Sequence, residues 1–424
     1  MIATLRQRDF SLLWLAGLIS MMGNWMLGVA LSILVYSMTG SVLAVGGNLL
    51  ATTLPSLLFG SIAGVFVDRW ERRRTLVITN LLLALTLLPL LLVRSANEVW
   101  LVYVVSFAQS TFSQLLYPAE NAFLPLLSDP KYLTSANALN ALNNNLARLL
   151  GPALGGLVVA QFGAGGAILV DIVSFFIAAG LIALIRTTSH PGKTTTTAPT
   201  PSLNNIAHEW LEGVRLIWRE KTLRVLFLAT PLISVGESVM SVLYVPFVTD
   251  VLRGTSVDVG GLMSAQAVGG IVGGVLITSV AARFKAFRLL GISAMIFGFL
   301  DLALFNYTTF IPSGSILIGY LLILMVGPFS VAIGASYNTL IQSTTTDAYR
   351  GRVFATIGLT GSLSALFGIG IAVLFSEFVG IVPVINIQGY VYILMGVIVL
   401  IALRNQQAQR VEAPLSTTTA LPIE

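Results

Sequence analysis

Residues 10–38 read FSLLWLAGLISMMGNWMLGVALSILVYSM, a run in which no side chain carries a charge. As an α-helix rising about 1.5 Å per residue, it outspans a hydrocarbon core about 30 Å thick, for which roughly 20 apolar residues suffice. A secretory signal has an apolar core of only about 7–15 residues, so the stretch after Arg6 and Arg8 is expected to be a retained first membrane span. The pattern then recurs along the chain. Further spans are expected at 41–67, 75–94, 99–127, 135–161 and 163–186, then at 224–250, 256–282, 287–306, 312–343, 353–376 and 381–403. Period-two alternation is absent, so the reading is an all-α membrane protein of twelve transmembrane helices rather than a β-barrel.

Composition agrees. Hydrophobic residues make up 56% of the 424 positions and charged residues 10%, against about 25% charged in a soluble domain. The net charge of +5 does not indicate a nucleic-acid partner, because the basic residues sit in short segments between apolar blocks. Twenty of them fall in segments on one side of the expected topology. Two, Arg94 and Arg253, fall on the other, and Arg148 lies within a span. This asymmetry puts both termini in the cytoplasm of a cell inner (plasma) membrane. There is no cysteine, and the two histidines, His190 and His208, share one linker. A metal site and a membrane-embedded metalloenzyme therefore lack ligands, and no cofactor is expected. No Gly-x-x-x-x-Gly-Lys-Ser/Thr stretch is present, so ATP is not the expected energy source.

The chain divides into a first six-helix bundle (1–186), a cytoplasmic linker (187–223), a second bundle (224–403) and a cytoplasmic tail (404–424). The linker begins with a low-complexity stretch around 190–201. Leu203, Ile206, Trp210, Val214, Ile217 and Trp218 then recur at mostly three- or four-residue spacing. This amphipathic helix is expected flat on the membrane, with its tryptophans among the headgroups, or alternatively against a partner protein.

The segment Gly64-Val-Phe-Val-Asp68-Arg69-Trp-Glu-Arg72-Arg73-Arg74 resembles the loop between spans 2 and 3 of the major facilitator superfamily. Gly64 permits close helix approach, and Asp68 can accept hydrogen bonds or pair with an arginine. With Arg69, Arg72 and Arg73 it forms an expected gate. The second-half copy, Ala281-Ala-Arg283-Phe-Lys285, lacks the acid. In the fifth span Gly151-Pro152-Ala-Leu-Gly155-Gly156 resembles the Gly-Pro motif of exporters in that superfamily, and Gly151, Pro152, Gly155 and Gly156 join the gating set. Arg8-Asp9-Phe10, Leu54-Pro55, Asn137-Ala-Leu, Val170-Asp171-Ile-Val-Ser174-Phe175, Glu212-Gly213 and Arg350-Gly351-Arg352-Val353 extend the likeness over nearly the whole chain. Together they resemble the branch holding enterobactin-type siderophore exporters and macrolide efflux pumps.

That resemblance implies a two-half major facilitator fold and efflux of an amphipathic small molecule by proton antiport, in a monomer embedded among membrane lipids. Composition shows neither direction nor coupling, and an importer, a lipid flippase or a non-transporting sensor would share the architecture. A transferase would need an interfacial cluster of carboxylates or histidines that the scattered acids do not supply. Two departures bear on coupling. Asn24 stands where many relatives carry an acid, and Glu120 stands where relatives often place arginine.

Ionisable groups inside a membrane are costly and so are functional candidates. Glu237, near the middle of span 7, is the first choice for proton coupling, with Glu120 second. Asn137, Asn140, Asn144 and Arg148 share one face of span 5 and, with Asn24, are the expected substrate-cavity residues. Arg148 is the expected cationic partner of Glu237. Asp171 and Asp301, on spans 6 and 9, are expected to be peripheral structural anchors.

Overall fold

The computed structural model describes the backbone of residues 2–187, 203–281, 284–311 and 315–404, with all their side chains except those of 2–3, 60–69, 130, 203–209, 277–281 and 347–348. Every described secondary-structure element is helical. The first four spans are Arg8–Thr39, Val42–Arg69, Arg72–Leu87 and Val99–Leu127. Leu133–Ala183 is continuous in hydrogen bonding but contains Gly163 at φ 69°, ψ −179°, a conformation available essentially to glycine alone. A straight helix of that length would reach roughly 75 Å at about 1.5 Å per residue, so the turn divides it into spans 5 and 6. The second half comprises Lys221–Pro246 continued by a π-turn Phe247–Val251, then Ser256–Ala281, Ala286–Phe310, Ile316–Thr344, Asp347–Val379 and Ile381–Leu403. These are spans 7 to 12.

Gly380 joins spans 11 and 12 at φ 86°, ψ 171°, the counterpart of Gly163 between spans 5 and 6. Both are one-residue connections. The expected break between spans 5 and 6 is therefore found, with glycine as its physical cause.

Spans 1 to 6 pack among themselves, as do 7 to 12, and the halves meet chiefly where span 5 crosses 8 and span 2 crosses 11. Two faces of the molecule follow from the helix order: the terminal face, with residue 8 and residue 404, and the far face, with Gly40, Gly163 and Gly380. Phe162, Phe310, Phe378 and Ile401 remain largely exposed, as expected of a protein whose outer surface is solvated by lipid.

One apolar cluster crosses between the halves. Val29, Ile33, Tyr36, Val42 and Leu49 of spans 1 and 2 pack with Val242, Val245, Val248, Ile369 and Ala372 of spans 7 and 11. These residues lie in the part of the helices nearest the far face. Water, rather than lipid, would replace the contact if the halves parted there, so the hydrophobic effect favours closure. Tyr36 also donates a hydrogen bond to Asp250 across this seam, and Ser264 of span 8 donates to the Leu149 carbonyl of span 5 at 2.6 Å. The molecule is closed at its far face.

The linker helix Leu203–Arg219 is not isolated from the bundle. It docks on the second half, packing against spans 11 and 7. Ile217 is fully buried in that half's core. Glu212 pairs with Arg352 at 3.4 Å, and Trp210 donates to the Thr360 hydroxyl at 3.3 Å. Gly213 approaches Thr356 so closely that a Cβ there would stand 2.9 Å from the threonine Cβ. Trp210 and Ile217 of the expected apolar stripe meet the bundle, while the side chains of Leu203 and Ile206 lie outside the described residues. Trp218 stays about half exposed, with the Arg224 guanidinium 6.0 Å from its ring centre.

Candidate functional site: a chamber between the halves

Two connected cavities of about 640 and 630 Å³ lie beneath the far-face seal. Both are lined by Arg148, Glu237, Met240 and Gln266, so these residues mark the junction of one larger chamber. One lobe is bounded by spans 1, 2, 5, 7 and 8, including Asn24, Trp25 and Ser32. The other reaches into the second half, to Phe297, Asp301, Tyr337, Gln388 and Tyr392.

Glu237 accepts a hydrogen bond from the Tyr392 hydroxyl at 2.5 Å. Arg148 shares the chamber with Glu237, but neither a hydrogen bond nor an ion pair joins these two described residues, so the expected Arg148–Glu237 partnership is replaced by Tyr392. The seat is built by helix packing. Gly236 lets span 7 approach span 12, for a Cβ on it would be 3.3 Å from the Gln388 Cα. Gln388 and Tyr392 follow on one face of span 12, one turn apart.

Asp301 is misplaced by the sequence reading. It is not peripheral: it is 3% exposed and lines the chamber, within electrostatic reach of Glu237 and Tyr392. Span 9 is outer as a helix, yet this side chain points inward past Phe297. Asp171 is also fully buried, inside the first half, where it accepts from Ser174 at 2.9 Å and packs under Gly23 of span 1.

Asn137, Asn140 and Asn144 line neither lobe. Asn144 donates to the Asn140 carbonyl at 3.3 Å, an interaction along its own helix. The informative asparagine is the neighbouring Asn143, which is fully buried and donates to the Trp14 carbonyl at 2.9 Å. Trp14 in turn donates to the Leu139 carbonyl at 2.9 Å, clamping span 1 to span 5. Glu120 sits beside that clamp, 3.1 Å from where a Cβ on Gly17 would lie. It lines a separate pocket of about 150 Å³ with Ser20, Asn24 and Asn80. Asn24 belongs to both this pocket and the main chamber.

The Gly-Pro run of span 5 presents two different faces. Gly151 and Gly155 meet span 1 inside the first half, and a Cβ on Gly155 would lie 2.8 Å from the Met26 carbonyl oxygen. Pro152 and Gly156 face span 8 of the other half. A Cβ on Gly260 would stand 2.8 Å from the Pro152 carbonyl carbon, and one on Gly156 would stand 3.2 Å from the Val257 Cα. Residues four apart share a helix face, so one motif glues two seams.

The expected gate at Gly64, Asp68 and Arg69 falls on side chains outside the described residues. Arg73 is described, and it donates to the Ala183 carbonyl at the end of span 6, a cationic cap on a helix C-terminus. Arg74 pairs with Glu71 at 3.1 Å. Asp9 accepts from the Thr187 amide at 3.0 Å and its hydroxyl at 2.7 Å, tying the start of span 1 to the end of span 6.

The sequence matches the Major Facilitator Superfamily over residues 13–369. This chain belongs to that superfamily. It is 26% identical over 375 residues to macrolide efflux protein A of Streptococcus pyogenes, covering 88% of this chain and 90% of that protein. It is 28% identical over 366 residues to the multidrug efflux pump Tap of Mycolicibacterium fortuitum, covering 84% and 86%. It is 24% identical over 375 residues to the staphyloferrin A transporter of Staphylococcus aureus (strain NCTC 8325 / PS 47), covering 87% and 89%. The fold matches the crystal structure of a bacterial homologue of the iron transporter ferroportin in its inward-facing state, with TM-score 0.72 at 16% identity, covering 93% of this chain and 98% of that one. It also matches the POT family transporter PepTSo, with TM-score 0.73 at 14% identity, covering 95% and 99%. The chain is a multi-pass membrane transporter of this superfamily, and not an enzyme.

Proposed function

We propose that this transporter is a secondary active exporter, moving an amphipathic small molecule outward by alternating access in exchange for protons. The terminal face is cytoplasmic in this reading, and the far-closed form is the one that loads substrate. Glu237 is the proton-responsive group and Glu120 an auxiliary one. Arg148 and Asn24 meet the substrate. Asp68, with Gly64 and Arg69, latches the cytoplasmic side when that side closes, while Arg72 and Arg73 anchor the loop.

The observation that carries this reading is the chamber itself. It takes walls from both halves, Glu237 stands at the junction of its lobes, and the apolar seam closes it on one side. Its mixed lining suits an amphipathic guest: apolar walls with a few oriented polar groups. A carboxyl facing the chamber at such a junction changes environment whenever the halves rock, and a change in burial or in hydrogen bonding changes its affinity for a proton. Two of the relatives are efflux proteins, which favours the outward direction.

The test uses purified protein in proteoliposomes. An imposed pH gradient drives substrate accumulation by the wild type. Glu237→Gln abolishes gradient-driven accumulation while leaving downhill exchange measurable. Accumulation by Glu237→Gln at the wild-type level removes that residue from coupling and passes the role to Glu120. For orientation, cysteines placed singly at Ser41, Asn97 and Ser256 label from outside intact cells, while those at Thr75 and Lys285 do not. The reverse pattern overturns the direction.

A further inference from the structure

Glu120 stands outside the chamber, in the pocket of about 150 Å³ enclosed by spans 1, 3, 4 and 6 of the first half. No arginine or lysine lines that pocket, and Glu120 makes neither a hydrogen bond nor an ion pair among the described residues. A carboxylate inside a membrane without a counter-charge is costly. A neighbouring amide adds to the imbalance. Asn80 also lines the pocket and is 2% exposed. Its amide nitrogen donates to the Leu76 carbonyl one turn back at 2.8 Å, which fixes the orientation of the amide. Its Oδ1 is buried and has no hydrogen-bond partner, an exception that calls for an explanation. Ser20 spends its hydroxyl proton on the Gly17 carbonyl at 3.2 Å. The pocket does hold other donors, on Asn24, Ser113 and Tyr117. None of them hydrogen-bonds to Glu120 or to the Asn80 oxygen, and Asn24 and Ser113 each bring an oxygen of their own.

We infer that this pocket binds a monovalent metal cation of the sodium class, held by the Glu120 carboxylate and Asn80 Oδ1 with the Asn24 and Ser113 oxygens beside them. The lack of cysteine and the placing of both histidines in the linker exclude sulfur and nitrogen ligation, but a hard cation takes oxygen ligands. One carboxylate balances one positive charge. A divalent ion would leave an uncompensated charge in the membrane interior, and no group of three or more acidic or histidine side chains gathers among the described residues.

A proton on Glu120 would neutralise the carboxylate but supply a single donor. A cation draws on the lone pairs of all these oxygens at once. The pocket is about a quarter the size of either chamber lobe, room for a small ion rather than for an amphipathic guest. Asn24 lines both this pocket and the chamber, so an ion seated here stands directly behind the chamber wall. The site is independent of the export reading: its occupancy depends on neither the substrate nor the direction of movement.

The test is equilibrium binding of radioactive sodium to purified full-length protein in detergent, with choline chloride holding the ionic strength constant. The wild type should bind saturably at a single class of site, and unlabelled sodium, but not choline, should displace the label. Glu120→Gln and Asn80→Leu should each weaken binding about tenfold or more, the range expected when a charged or buried polar contact is lost. Asp129→Asn, which removes an exposed acid paired with Lys131, is the control and should leave binding unchanged. If neither pocket variant folds, the milder Ser113→Ala carries the comparison. Absence of saturable binding by the wild type, the result if water and a proton fill the pocket instead, overturns the site. Binding unchanged in the folded pocket variants overturns it equally. Either result leaves the proteoliposome assay of export free to succeed or fail on its own.

Discussion

Adding one methyl group to Gly156 tests whether the crossing of spans 5 and 8 opens during transport. An alanine Cβ there would meet the Ser256 carbonyl oxygen and lie 3.2 Å from both the Ser256 carbonyl carbon and the Val257 Cα. All three neighbours are backbone, so no side chain can swing aside and the helices themselves must separate. Overpacking of this kind costs about 1–3 kcal/mol. The cost falls on the far-closed form alone, because the alternative form has the two helices apart. At roughly 1.4 kcal/mol per decade, the far-open population should rise about 5- to 140-fold while it remains the minor state. The protein has no cysteine, so a single cysteine replacing Ser32, which lines the chamber, reports opening without background. Its labelling rate by a membrane-impermeant maleimide applied at the far face should rise by the same factor. Gly155→Ala is the control. Its Cβ meets only Met26 of the same half, so it should lower thermal stability with no gain in labelling. Unchanged labelling of folded Gly156→Ala protein would mean that this crossing does not open, and the rocking mechanism would fail at its hinge.

Three further outcomes follow from the same geometry. Tyr36→Phe removes the hydrogen bond to Asp250 across the far seam, an interaction worth about 0.5–1.5 kcal/mol at a partly exposed site; labelling at Ser32→Cys should rise about 2- to 10-fold, and no rise would show that the apolar cluster alone holds the seam. Gly163→Ala meets no steric neighbour yet forces a Cβ into a glycine-only conformation, so it should cost about 1–3 kcal/mol, read as a lowered unfolding temperature with unaltered labelling. Gly213→Ala should lift the linker helix from span 11, and hydrogen exchange across Leu203–Arg219 should accelerate relative to spans 7 and 11; unchanged protection would show that Thr356 yields instead.

The spans were legible because the bilayer imposes length and polarity on sequence directly, and even the one-residue break near Gly163 fell where expected. Glu237 and Arg148, singled out by their depth, both line the chamber. Their presumed pairing failed because depth does not specify rotation about a helix axis. On span 7 that rotation turns the carboxylate to span 12, where nothing in the sequence marked Tyr392 or Gln388 as its neighbours. Asp301 was sent to the periphery by reasoning about helices rather than side chains: an outer helix still has an inner face. The asparagine stripe does not reach the chamber; about 100° of helical rotation separates Asn144 from Asn143, which is buried against Trp14 of span 1 instead. The Gly-Pro run announced close packing, but that its alternate residues serve two partners emerges only once span 8 is seen on one side and span 1 on the other.

The glycine turns at 163 and 380 leave no slack between the helices they join. A span pair connected through one residue cannot slide or tilt independently at that end, so spans 5 and 6 behave as a stiff lever, and so do 11 and 12. Force developed where span 5 meets span 8 is delivered through the turn to span 6, on the outer wall of the bundle. Lateral pressure from the surrounding lipid on that wall would feed back to the same crossing. Any movement at that crossing must therefore be shared with span 6, through a connection too short for a loop to absorb it.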